Sequence, residues 1–273
     1  MKKKSLKDWW IYLVLGIISL IALIPFYMMF VMGTYYSEDL FKGMPLFISD
    51  YFWENLKTTL SHGLLATYGN SIFVSVVSVA ACLFTSITMG YALAKFEFRA
   101  KKFFFILVLT GMMLPTQISI IGYIMEMRFA HLTNTLWSVI CVWIANPFSA
   151  FFMMQFMKDS IPEEMMESAR IDGCSEPGIL FKIVVPCMKP AITTVSTLVF
   201  LWSWNNYLLP LITLNKQKVY TLPLMISNIS VSYRQDYGAQ MLALALSTFP
   251  VLIIFICGSR HFVKGITAGA VKG

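Results

Sequence analysis

Six stretches of the chain carry no Asp, Glu, Lys, Arg or His: Trp9–Met32, Gly63–Ala94, Phe103–Met125, Leu132–Met157, Pro190–Asn215 and Gly238–Ser259. A bilayer core of about 30 Å is crossed by about 20 apolar residues in a helix, so each stretch is long enough to span, tilt included. The pattern predicts six transmembrane helices. The next longest run, Val219–Tyr233, is shorter and interrupted by Pro223, and reads as an external or interfacial segment. Trp9–Met32 is too long for the apolar region of a signal peptide and lacks a small-residue cleavage site, so it reads as a retained span.

Composition agrees with this picture. Of 273 residues, 58% are hydrophobic and only 13% charged, where soluble domains average roughly 45–50% and about 25%. Disorder and a compact cytosolic enzyme are excluded. The basic residues set orientation. With the amino terminus inside, the cytoplasmic segments hold fifteen of the 21 Lys and Arg, and the outside keeps Lys42, Lys57, Arg128, Lys216, Lys218 and Arg234. Positive charge collects on the cytoplasmic side, so both termini are expected there. The net charge of +7 is thus a topology signal, and no nucleic-acid partner is expected.

Chemistry is sparse. Cys82, Cys141, Cys174, Cys187 and Cys257, with His62, His131 and His261, show no metal-ligand spacing. There is no phosphate-binding G-x-x-x-x-G-K-[ST] loop, no G-x-S-x-G and no H-E-x-x-H. The chain reads as a non-enzyme without its own cofactor. The spans hold no carboxylate or histidine, which argues against a proton-driven carrier. A sodium-coupled carrier using backbone carbonyls of broken helices stays open. Pro25, Pro115, Pro147, Pro210 and Pro250 sit inside the spans and are expected to kink them.

The informative loop is Lys158–Lys189, between the fourth and fifth spans. Ser160-x-x-Glu163 forms a capping-box pattern, with Pro162 in the first turn. Glu163, Glu164 and Glu167 complement the helix dipole. Ile161, Met165, Ala169 and Asp172 follow one stripe, and Gly173 suits a left-handed stop. Ser175 is placed to cap a second short helix, with Pro186 ending it. The prediction is a helix–turn–helix outside the membrane.

The stretch "EEMMESARIDGCSEPGILFKIVVPCMKP" resembles the signature loop of ABC importer permeases, with Glu167, Ala169, Asp172, Gly173 and Pro186 on the pattern. Ser168 and Cys174 replace its usual small residues. Likeness extends to "YALAKFEFRAKK", "WSWNNYLLPL" and the tail "HFVKGITAGAVKG", features of the carbohydrate branch, and covers about Thr67 to Gly273. This resemblance implies an all-α integral membrane protein of the type I ABC importer permease fold. Residues 1–62 would supply a cytoplasmic segment, first helix and extracellular loop, residues 63–260 the permease core, and residues 261–273 a cytoplasmic tail. It also implies a cell-membrane location and a sugar or oligosaccharide substrate, with an amino-acid or peptide permease as the alternative. Implied partners are a second, related permease in a heterodimer, two cytoplasmic ATPase subunits that bind ATP and Mg, and an extracellular solute-binding protein. Glu167, Ala169, Asp172 and Gly173 would couple the spans to the ATPase.

Within the spans, Trp143, Asn146, Trp204, Asn205 and Tyr207 suit a path for a neutral hydroxylated solute, because aromatic faces and amides match its two kinds of surface. The same residues also suit interhelix packing. Asn70 reads as packing or gate. The glycine- and alanine-rich tail is expected to be thin and flexible, and the resemblance implies that it inserts between the ATPase subunits.

Overall fold

The computed structural model describes residues 6–231 and 234–270, with side chains assigned for most of them. Among these the chain is helical apart from one antiparallel ladder, β1 (Ser230–Val231) with β2 (Arg234–Gln235), in which Ser230 pairs with Gln235. Four helical stretches are long and apolar enough to cross a membrane by themselves: Trp9–Met32, Leu64–Lys95, Trp137–Ser160 and Tyr237–Ile256. Two bent pairs raise the number to as many as six.

The chain divides into two compact units. The first joins Met1–Leu65 to Met225–Phe249. It holds α1 (Leu6–Met32), α2 (Phe52–Ser61) and the start of α14 (Tyr237–Ala270). Here a polar residue does the joining: buried Asn55 donates from Nδ2 to the carbonyls of Gly33 (2.9 Å) and Tyr35 (2.8 Å). Thr59 reaches the Ala239 carbonyl at 3.2 Å, and the Ser37 hydroxyl accepts from the Tyr237 amide at 2.7 Å.

The second unit contains Ala66–Leu224. Its helices are α3 (Leu64–Lys95), α4 (Lys101–Met113), α5 (Thr116–Phe129), α6 (Trp137–Ile144), α7 (Pro147–Ser160), α8 (Glu163–Ile171), α9 (Glu176–Ile179), α10 (Val185–Cys187), α11 (Lys189–Trp204), α12 (Leu208–Thr213) and the first half of α13 (Leu222–Ser227). At about 1.5 Å per residue, the 32-residue α3 is about 48 Å long, well over a bilayer core. Its end can therefore stand clear of the hydrocarbon. Gly90 lets α7 come within van der Waals reach, since a Cβ there would lie 2.9 Å from the Met154 amide nitrogen.

Three predicted spans are not straight helices. Phe103–Met125 is bent by 112° between α4 and α5, because Leu114 and Pro115 are both extended. The residue before a proline is pushed out of the helical region, and the extended Pro115 is the cap after which the next helix starts at Thr116. Leu132–Met157 is interrupted at Ala145, after which Asn146 and Pro147 open α7. Pro190–Asn215 stops at Trp204 and resumes at Leu208. Pro25 and Pro250, by contrast, lie inside continuous helices. Asn70 ties α3 to the carbonyls of Lys218 (3.1 Å) and Tyr220 (2.9 Å), a packing role.

The tail also differs from expectation. Backbone helix α14 continues to Ala270, since a helix already nucleated extends at little cost. Val271, Lys272 and Gly273 lie outside the described residues.

Candidate functional site

Two features of the second unit carry the chemistry predicted from sequence. The first is the loop that begins where α7 ends. Helix α8 runs Glu163–Ile171, and its acidic first turn, Glu163 and Glu164, faces the positive end of the dipole. The capping box does not form. Ser160 is the last residue of α7, and the cap position is Pro162, with no side-chain bond. The junction is held from the other side: Lys95, at the end of α3, donates Nζ to the Ile161 carbonyl at 2.5 Å.

The far end of α8 closes as its sequence predicts. Gly173 has φ +79°. The Cys174 amide donates to the Ala169 carbonyl (2.9 Å) and the Gly173 amide to the Arg170 carbonyl (3.0 Å). This pair of bonds is the Schellman stop. Helix α9 follows from Ser175 as N-cap, without a side-chain bond, and continues through a π-helical turn, Leu180–Val184, into α10. Pro186 does not end this segment. The chain turns by 80° at Met188, because Pro190 has no N–H to return to the Pro186 carbonyl and instead sits in the first turn of α11.

Burial sorts the predicted loop residues into two groups. Met166 and Ala169 face the chain's own core, with Ala169 only 8% exposed. They share one apolar cluster with Tyr91 of α3, Met153 and Met157 of α7, Ile179 and Leu180 of the loop, and Val195 and Val199 of α11. Ala169 thus packs inward, where a small side chain lets α8 lie close. Glu167, Asp172 and Gly173 lie on the exposed side. So does Ile171, which is 86% exposed. The stripe through Met165 and Asp172 does not mark Ile171, because the buried face of α8 runs through Met166 and Ala169.

A polar latch joins loop to span. Arg170 Nε donates to Glu176 Oε1 at 2.7 Å, and the Tyr91 hydroxyl donates to Oε2 at 2.9 Å. The Arg170 bond holds the Glu176 carboxyl below the usual carboxylate range, and the Tyr91 bond adds to it against some desolvation.

The second feature is a cavity of about 900 Å³. The three helix breaks meet around it: Leu114 from the first, Ala145, Asn146 and Pro147 from the second, Asn205 and Asn206 from the third. Non-helical backbone at membrane depth is tolerated where it lines a cavity or is buried in protein. Here the freed groups are met locally. The Thr85 hydroxyl donates to the Ile144 carbonyl. Asn146 Oδ1 accepts from the Ser149 amide (2.9 Å), Asn206 Oδ1 from the Leu209 amide (3.1 Å), and Asn205 Nδ2 donates to the Leu201 carbonyl (2.9 Å).

Trp143, Trp202 and Phe148 supply aromatic wall. Trp143 and Trp202 stack with centroids 6.4 Å apart and planes 18° apart, and Phe148 meets Trp202 edge-on at 5.7 Å. The buried Nε1 of Trp143 has no hydrogen-bond partner among the described residues. Among the described residues, no Asp, Glu, Lys, Arg or His lines the cavity. The structure therefore gathers Trp143, Asn146 and Asn205, but neither Trp204 nor Tyr207. Trp204 is 2% exposed and stacks on Phe200, 5.6 Å away, while Tyr207, at the cap position of α12, is not among the lining residues. Asn205 and Asn206 follow Trp202 across the end of α11 and line the cavity with it, whereas Trp204 packs into the protein.

Residues 86–268 match the family described as binding-protein-dependent transport system inner membrane component. The chain belongs to that family. As a membrane permease of this kind it is 38% identical, over 76% of its length and 74% of the relative's, to the arabinooligosaccharides transport system permease AraQ of Halalkalibacterium halodurans. It is 30% identical to the lactose transport system permease LacG of Rhizobium radiobacter, covering 99% and 98% of the two chains. In a bacterial ABC transporter involved in import of the acidic polysaccharide alginate, one chain matches the permease with TM-score 0.78 at 23% identity, over 96% of the permease and 100% of that chain. The two share a fold.

Proposed function

We propose that the permease forms half of the membrane pathway of an ATP-driven importer of neutral sugars or oligosaccharides. In this reading it crosses the bacterial cell membrane six times with both termini in the cytoplasm, α4 with α5 serving as the third crossing and α11 with α12 as the fifth. A second, related permease supplies the other half. Two ATPase subunits bind ATP and Mg and hydrolyse the nucleotide, and an extracellular binding protein delivers the sugar.

The observation that carries this reading is the construction of the loop. Helix α8 is stopped by Gly173, latched through Glu176 to Tyr91, and packed through Met166 and Ala169 into the cluster formed by α3, α7 and α11. Such a loop moves as one piece with the helices behind it, because packed cores switch between arrangements more readily than they deform. Glu167, Ile171, Asp172 and Gly173 form the outward face that an ATPase cleft grips, and Ala169 seats that face. ATP binding draws the two coupling loops together and turns the pathway outward; hydrolysis resets it. The ATPase shifts the equilibrium only by its differential affinity for the two arrangements.

The relatives named for arabinooligosaccharides and lactose support a carbohydrate substrate, and the cavity suits one. Trp143, Trp202 and Phe148 offer faces to the apolar side of a sugar ring. The amide ends not spent on backbone, of Asn146, Asn205 and Asn206, suit its hydroxyls. A carboxylate entering this lining would lose water without meeting a cation, at a cost of several kcal/mol. The test is uptake by the reconstituted transporter against a panel of neutral and uronate oligosaccharides, with Trp202→Ala alongside. Neutral sugars should be carried and the variant should slow them, with binding-protein-stimulated ATP hydrolysis retained. Equal uptake by wild type and Trp202→Ala would remove the cavity from the pathway.

A further inference from the structure

The segment between α1 and α2 folds back along the helix it leaves. Tyr27 donates its hydroxyl to the Leu46 carbonyl at 2.7 Å. Tyr27 lies five residues before the end of α1 at Met32, about 7–8 Å along the axis. Helical side chains lean toward the amino terminus, so the hydroxyl is no nearer the helix end than its own Cα. The chain then climbs back, since Thr34 accepts from the Ser49 amide at its hydroxyl (2.9 Å) and from the Tyr51 amide at its carbonyl (3.0 Å).

The dipping stretch is uncharged from Gly43 to Ser49, with Asp39 and Lys42 on one side and Asp50, Glu54 and Lys57 on the other. Met44 is 75% exposed and Phe47 78%, and Phe41, Ile48 and Trp53 are also exposed. Helix α2 turns polar residues inward, with Asn55 and Thr59 buried. The apolar side chains left outside continue the exposed surface of α1 at Phe26, Tyr27 and Phe30.

We propose that Phe41–Ile48 is a lipid anchor that beds into the headgroup–acyl boundary beside α1, with Trp53 at its rim. The depth argues for lipid over a soluble partner, which cannot reach the level of Tyr27 on an apolar span without entering the membrane. The irregular backbone sets a limit in the other direction. Its unpaired amides exclude the hydrocarbon centre, so the loop stops where headgroup water still reaches them. The anchor would fix the tilt and height of α1 in the bilayer.

The test is nitroxide labelling at Met44→Cys and Phe47→Cys, with Lys57→Cys as reference, in the complete transporter whose other cysteines are replaced. The complex is held in nanodiscs of phosphatidylcholine and phosphatidylglycerol without binding protein. Collision with oxygen reports lipid, and collision with a nickel chelate reports water. The expected result is a shift from nickel at Lys57 to oxygen at both Met44 and Phe47. Nickel access at Phe47 equal to that at Lys57 would overturn the proposal in favour of an aqueous loop. Shielding from both reagents would overturn it in favour of a protein partner.

Discussion

Replacing Gly173 separates backbone geometry from side-chain contact in the loop after α8, the loop proposed to couple the spans to the ATPase. Its φ of +79° lies in the left-handed region, and a Cβ built there meets nothing within 4 Å. Space is therefore free on this chain, and the whole penalty of Gly173→Val is conformational. Holding an L-residue left-handed costs about 1–2 kcal/mol, more for a β-branched one. Leaving that region breaks the bonds to the carbonyls of Ala169 and Arg170, each worth about 0.5–1.5 kcal/mol net. Either route destabilises the capped loop by about 1–3 kcal/mol, and one or two kcal/mol already lowers its population roughly 5–30-fold. Asparagine tolerates the left-handed region, so Gly173→Asn should cost much less. The assay is the ratio of sugar transported to ATP hydrolysed in proteoliposomes, with ATPase retention on the purified permease as a second readout. Gly173→Val should assemble in the membrane but lose coupling or ATPase attachment, with Gly173→Asn close to wild type. Wild-type coupling in Gly173→Val would refute the reasoning.

Four further outcomes follow. Glu176→Gln or Tyr91→Phe should weaken coupling while leaving helix content by circular dichroism unchanged. Because the folded Glu176 carboxyl is held below its ordinary value, its latch is fully present above about pH 5 and is lost as pH falls through the lowered value. Coupling should thus be flat across neutral pH, and Glu176→Gln should reproduce the acid state at pH 7. Gly90→Leu forces side-chain volume against the Met154 backbone and should reduce folded yield, read by size-exclusion chromatography, while Gly90→Ala should cost about 1–3 kcal/mol. Single cysteines at Lys101 and Lys216, in a cysteine-free background, should react with an impermeant thiol reagent from opposite sides, and labelling of both from outside intact cells would contradict six crossings.

Long-range order was legible where one physical signal dominates. Uncharged runs set by bilayer thickness marked the helices, and the glycine that ends α8 was readable because a left-handed stop strongly favours that residue. The breaks were harder. Pro115 and Pro147 announce interruptions, but their direction depends on neighbours such as Thr85 that absorb the freed carbonyls. The Asn205–Tyr207 break has no proline at its centre and follows from Asn205 and Asn206 competing for nearby backbone, an effect that a count of uncharged residues does not register. In the loop, nine residues of helix admit closely spaced apolar stripes. Only packing against α3, α7 and α11 decides that Met166 and Ala169 go inward and Ile171 outward. The lining of the cavity was half legible for the same reason: Trp202 and Trp204 are alike in composition, and only packing decides that Trp202 lines the cavity while Trp204 is buried against Phe200.

The most direct test is transport itself. The permease, its expected partner permease and the ATPase would be reconstituted in liposomes with ATP at the ATPase face and binding protein with a labelled neutral oligosaccharide at the other. Accumulation should require ATP, the binding protein and an intact loop, and should fail with an ATPase variant unable to hydrolyse. Accumulation by the permease alone, driven by a sodium gradient without ATP, would contradict the account.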